Sequence, residues 1–165
     1  VQWAGFFVDY NKPLYLLTDS DSIAANLRSL RSIGIDNVHG FFDLTATDVT
    51  KCFVETYPSE SPQALAARIE NGSVRLVDVR AATEFNEGHI VSAEHRFLGK
   101  LLRELTQIDH SKPVVAQCLA GGRSAIAASI LQRAGLNVIN MAGGYNAWRS
   151  AGLPNHLEQP ATAGA

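Results

Sequence analysis

From residue 61 onward, apolar positions fall into short runs and helical spacings that order the elements of the chain. Ser61-Pro62 supplies a helix cap and a first-turn proline, and Ala64, Leu65 and Ile69, with Ala67 on the flank, form the apolar face that follows. Asn71-Gly72 ends that helix. Val74-Arg75-Leu76-Val77-Asp78-Val79 reads as a short buried strand. A polar loop is expected from Arg80 through Glu84, Phe85, Gly88 and His89 to Ile90, then a helix over 98–105 and a turn at 109–113. Pro113-Val114-Val115-Ala116-Gln117 is β-prone, and from Ser124 the apolar positions return to helical spacing until Gly135. Asn137-Val138-Ile139-Asn140-Met141 predicts another strand, Gly143-Gly144 breaks it, and 145–150 forms a short helix stopped by Gly152 and Pro154. Strands alternating with helices predict an α/β fold with a central, mostly parallel sheet covered on both faces.

Part of this pattern occurs earlier. Lys12-Pro13-Leu14-Tyr15-Leu16-Leu17-Thr18 lines up with Lys112-Pro113-Val114-Val115-Ala116-Gln117-Cys118, Gly34 with Gly135, and Asn37-Val38 with Asn137-Val138. The expected unit is strand, helix, strand, about half a domain. Where the later copy has Cys118 this one has Thr18, followed by the acidic run Asp19-Ser20-Asp21-Ser22. The alternative is chance similarity between two βαβ units that share caps and apolar runs.

Cys118-Leu119-Ala120-Gly121-Gly122-Arg123-Ser124 joins the apolar strand to the helix. A loop so placed turns backbone N–H groups inward at the positive end of a helix dipole. A cysteine there holds its thiolate near neutral pH and acts as a nucleophile facing an anion cradle. The bland alternative is a buried structural cysteine. Gly121 and Gly122 let amides converge, Arg123 offers a forked contact to anionic donors, and Ser124 caps the helix or reaches the thiolate. Cysteine phosphatases and arsenate reductases also use such a loop, with five residues between cysteine and arginine; here four intervene, a smaller cradle that favours a sulfur atom over phosphate.

Composition narrows the classes. The 165 residues suffice for one full domain and a fragment of another, with 46% hydrophobic residues and 18% charged ones. The net charge of −2 gives no reason to expect nucleic acid or a membrane surface, and no apolar run approaches the roughly 20 residues that span a bilayer. Two cysteines, Cys52 and Cys118, lack metal-ligand spacing, and the five histidines form no ligand cluster, so neither metal nor cofactor is expected. Free thiols fit a reduced, cytoplasmic setting, with Cys52 an inert thiol. A first residue of valine suggests a chain cut from a longer protein.

The segment from Ser61 to Pro154 resembles the rhodanese (sulfurtransferase) family. The match rests on Leu76-Val77-Asp78-Val79-Arg80, Glu84-Phe85-Asn86-Glu87-Gly88-His89-Ile90, the Cys118 loop, and Ala142-Gly143-Gly144-Tyr145-Asn146-Ala147-Trp148. The resemblance implies a three-layer α/β domain that passes a sulfane sulfur through a persulfide on Cys118, with Leu119, Ala120, Gly121, Gly122, Arg123 and Ser124 binding substrate. The chain departs from the family pattern twice: Val91-Ser92 stands where Pro-Gly is usual, and Leu119 where thiosulfate users often carry arginine. Leu119 argues against a dedicated thiosulfate enzyme. The donor expected is a small sulfur anion or glutathione persulfide.

Asp78, Arg80, Glu84 and His89 are expected as structural support, with Arg80 pairing Glu84 and His89 tying the loop to backbone. Trp148 and Met141 are expected in the core or at its rim. Residues 1–50, led by Trp3-Ala4-Gly5-Phe6-Phe7, look like the C-terminal half of an inactive rhodanese-like repeat. They would be followed by a linker at 51–60, an active domain at 61–154 and a flexible tail at 155–165. That order resembles fusions in which a metallo-β-lactamase-fold domain precedes an inactive and then an active rhodanese. A half-domain with open sheet edges is expected to dock on the active domain or pair with another chain as a homodimer. The non-enzyme alternative is a regulatory module.

Overall fold

The computed structural model describes residues 3–46, 48 and 55–157, so Cys52 and the last residues of the expected tail lie outside the described part. The chain divides into two compact units, 1–56 and 57–165.

In the first unit, helix α1 (Ala4–Phe7) precedes strand β1 (Leu14–Thr18), a 3-10 turn (Ser20–Ser22), helix α2 (Ile23–Arg31) and strand β2 (Val38–Asp43). The two strands pair in parallel with Leu14 opposite Val38. Leu14 N–H donates to Asn37 O at 2.9 Å, and α2 is closed by Gly34 N–H to Arg31 O (3.0 Å) and Ile35 N–H to Leu30 O (3.0 Å). Thr18 is buried at the end of β1, where its hydroxyl accepts from Asn26 Nδ2 at 2.8 Å.

The second unit holds a five-stranded sheet, all parallel, in the order β3-β8-β7-β4-β6. These strands are β3 (Ser59–Glu60), β4 (Arg75–Asp78), β6 (Glu94–His95), β7 (Val114–Gln117) and β8 (Val138–Met141). Leu76, Val115, Ile139 and Met141 pack on one face against Leu65 and Ile69 of α3 (Pro62–Glu70) and Tyr145 and Trp148 of α7 (Gly144–Ser150). The period of two sends Val77, Val114, Ala116 and Val138 to the other face, where α6 (Gly122–Arg133) lies on β7 and β8. β4, β7 and β8 are buried nearly throughout, as parallel strands covered on both sides must be.

Val114 N–H donates to Asn137 O at 2.8 Å, and α6 is closed by Gly135 N–H to Gln132 O (2.8 Å) and Leu136 N–H to Leu131 O (3.1 Å). Each of these bonds has its counterpart in the first unit.

Several expectations are corrected. The presumed polar loop after Arg80 contains α4 (Ala82–Glu87) and β5 (Gly88–Ile90), and β5 pairs antiparallel with β9 (Asn155–Leu157). A strand thus lies in the segment read as a tail, as β3 lies in the segment read as a linker. The helix over 98–105 is broken into 3-10 turns around α5 (Leu101–Glu104). The N-terminal cap of α3 is as read, Ser61 Oγ accepting from Ala64 N–H at 3.3 Å. Its buried face is Pro62, Leu65 and Ile69, however, and Ala64 and Ala67 face water.

Ser92 adopts φ 68°, the left-handed region, at a position where the family usually has glycine. A side chain there costs roughly 1–2 kcal/mol, while glycine costs about 0.4–1 kcal/mol in unfolded-state entropy. Ser92→Gly is therefore expected to raise stability by about 0.5–1 kcal/mol, read as a higher urea midpoint; a lower midpoint would show that Ser92 is unstrained.

Candidate active site

Cys118 follows the last residue of β7 and precedes α6, so the strand ends on the thiol and the helix begins within its loop. The side chain is buried, and Sγ accepts the Gly121 N–H at 3.1 Å with Ser124 Oγ 3.5 Å away. Gly121, at φ 104°, is the residue that turns the chain into α6. Burial works to raise the thiol pKa, but the Ser124 hydroxyl and the amides of Ser124, Gly121 and Ala120 outweigh it and hold the pKa below that of an ordinary thiol. Ser124 is not the cap: it sits inside α6, where its single hydroxyl proton goes to Gly121 O at 3.0 Å while the thiol is protonated and turns to the sulfur when it ionises. Leu119 and Ala120 are exposed at the mouth.

The charged residues pair differently from expectation. Arg80 does not meet Glu84. It forks onto Asp78, with Nε and Nη2 donating at 2.9 and 2.7 Å to Oδ2, and both residues are buried. Arg80 Nη2 also donates to Gly88 O at 2.8 Å, and its guanidinium lies 4.4 Å over the Tyr145 ring. Glu84 instead receives a two-pronged contact from Arg123, at 2.6 and 2.7 Å. The Arg123 fork is thus spent on a carboxylate, which it holds below the usual carboxylate range. Glu84 also accepts from Ala81 N–H at 3.2 Å at the start of α4, so its pair with Arg123 ties α4 to the cysteine loop. His89 donates from Nδ1 to Phe85 O at 2.9 Å while stacking on the Phe85 ring. Trp148 and Met141 are core residues.

The glycine pair at the start of α7 closes the site. Tyr145 and Asn146 N–H donate to the carbonyls of Cys118 (2.7 Å) and Leu119 (3.0 Å), so the start of α7 grips the cysteine loop. Gly144, at φ 57°, makes this approach possible: a β carbon there would overlap the Cys118 carbonyl. Beside the loop lies a pocket of about 180 Å3 whose walls include Leu119, Glu87, Tyr145 and Arg149. Sequence patterns gave no sign of Glu87 or Arg149, since only the fold brings α4 and α7 to the cysteine loop. Among the described residues, no group of three or more His, Cys, Asp or Glu side chains is placed to hold a metal ion. Nor is any helix there long and apolar enough to cross a membrane.

A parallel α/β domain with a low-pKa thiol at a strand end, ringed by amides, defines a cysteine-loop domain. The rhodanese-like domain family matches residues 61–151, and the chain belongs to that family. A thiosulfate sulfurtransferase, GlpE, of Actinobacillus pleuropneumoniae is 31% identical over 101 residues, 61% of this chain and 94% of that protein. Among solved structures, a rhodanese-related protein from Thermoplasma volcanium aligns with TM-score 0.58 and 28% identity, covering 62% of this chain and all of that one. The rhodanese-like domain of an Anabaena protein aligns with TM-score 0.58 and 26% identity, over 67% of this chain and 88% of that one.

Proposed function

We propose that residues 61–154 transfer a sulfane sulfur from a persulfide or thiosulfate donor to a thiol or cyanide acceptor through a persulfide on Cys118. The observation that carries this reading is the buried Cys118 Sγ accepting the Gly121 amide beside Ser124, with its pKa lowered. The thiolate attacks the outer sulfur of the donor. One S–S bond forms as the donor's bond to that sulfur breaks, and the electron pair leaves with sulfite or a thiolate. The acceptor, a thiolate or cyanide, then attacks the outer sulfur, and the pair from the broken bond returns to Cys118 Sγ. No external oxidant or reductant enters. The amides that hold the thiolate also face the persulfide, and they replace a general base. Apolar Leu119 at the mouth favours a persulfide donor such as glutathione persulfide over thiosulfate.

The reading extends to residues 1–50 as the C-terminal half of a second rhodanese-like repeat, inactive because Thr18 stands where Cys118 does. It is supported by the hydrogen bonds of β1-α2-β2 that match those of β7-α6-β8. A preceding metallo-β-lactamase-fold domain, which rests on the resemblance alone, and a cytoplasmic setting, which rests on the free thiols, belong to the same proposal.

Wild type and Cys118→Ser, each given thiosulfate or glutathione persulfide, test the assignment by mass spectrometry and turnover. Wild type is expected to gain one sulfur atom that cyanide removes. The variant is expected to gain none and to lose turnover by about 10³-fold or more. Because its pKa is lowered, Cys118 should also alkylate from a lower pH than free cysteine. A non-catalytic module would show neither the sulfur nor the early onset.

A further inference from the structure

Arg149 is the cation beside the cysteine loop that the ion pairs leave over. Arg80 is matched by Asp78 and Arg123 by Glu84, whereas among the described residues neither Arg149 nor Glu87 has an ion-pair partner. Both line the same pocket of about 180 Å3, together with Leu119 of the loop and Leu157 of β9. The Arg149 guanidinium lies 5.9 Å over the ring of Tyr145, another wall residue, whose buried hydroxyl has no hydrogen-bond partner. One free cation, one free carboxylate and apolar side chains therefore share a small space beside the cysteine loop with the paired Arg80 and Glu84. Its volume falls below the roughly 300–1,000 Å3 of pockets for drug-sized ligands and fits a single amino acid.

We infer that this pocket recognises the zwitterionic end of an amino-acid thiol of the cysteine class, with the carboxylate on Arg149 and the ammonium on Glu87. The inference rests on the sulfur-transfer reading, in which such a thiol is the acceptor. Two charge-assisted contacts fix the backbone of the ligand and direct its sulfur past Leu119 to the Cys118 persulfide. The acceptor thiolate bonds to the outer sulfur as the Cys118 S–S bond breaks, and the electron pair returns to Sγ. An amino-acid persulfide leaves.

The probe is S-methylcysteine, which carries both charges and no reactive thiol, titrated into the full chain by NMR. Its counterparts are methylthiopropionate, which lacks the ammonium, and methylthioethylamine, which lacks the carboxylate. S-methylcysteine is expected to bind about tenfold more tightly than either. Arg149→Gln should weaken S-methylcysteine about tenfold without changing the affinity for methylthioethylamine, and Glu87→Gln should do the converse for methylthiopropionate. Equal binding of the three probes by wild type, or no effect of Arg149→Gln, overturns the inference. The Cys118 mass gain is read separately. Sulfur gain without probe selectivity removes the pocket assignment alone, and selectivity without sulfur gain removes the transfer reading while leaving the pocket.

Discussion

Gly144→Ala is expected to destabilise the protein by about 2–4 kcal/mol and to free the cysteine loop from α7. The left-handed φ of 57° accounts for roughly 1–2 kcal/mol with any side chain. The remainder comes from overlap with the Cys118 carbonyl, which forces the backbone to shift. That shift breaks the Tyr145 and Asn146 amide bonds to the loop, so thiol reactivity should fall together with stability. Gly152→Ala is the control: φ there is 67°, but nothing lies within 4 Å of the added carbon. Urea unfolding of the two variants separates strain from overlap. Equal losses would mean that Gly144 is needed only for its backbone angle.

Asp78→Ala carries the second large effect. It strips Arg80, only 2% exposed, of the carboxylate that receives its backbone N–H and its guanidinium. The charge left behind keeps the Gly88 carbonyl, the Tyr145 ring and the field of Glu84, with no carboxylate bonded to it. Breaking a buried pair from one side costs about 3–5 kcal/mol, a large share of the roughly 5–15 kcal/mol that holds a domain. Replacing both partners, Asp78→Leu with Arg80→Met, should recover most of the loss, because no unpaired charge remains. A single-variant cost under about 1 kcal/mol would show that Arg80 reaches water in its absence.

The cysteine loop was legible because its signals are local: a strand, a thiol, glycines and a helix in unbroken order. The same holds for the Ser61 cap and for the burial of β4, β7 and β8. What sequence missed was either short or distant. β3, β5, β6 and β9 have two or three residues each, too few for an alternation to show. α4 reads Ala-Thr-Glu-Phe-Asn-Glu with no residue fully buried, so its polarity resembled a loop. The partner of Arg80 was misread as Glu84, a carboxylate of the segment expected to be a polar loop. Yet α4 begins only at Ala82, and extended chain places Asp78 and Arg80 on one side, two residues apart. Glu84 and Arg123 are 39 positions apart, and no local pattern joins them.

The grip of α7 on the loop also sets when the loop that holds the thiol can be completed. The Cys118 and Leu119 carbonyls wait for amides that are synthesised more than twenty residues later. On a ribosome making roughly 5–20 residues per second, Cys118 therefore spends its first seconds as an ordinary thiol. Its lowered pKa and its burial arrive together, because both need the folded loop.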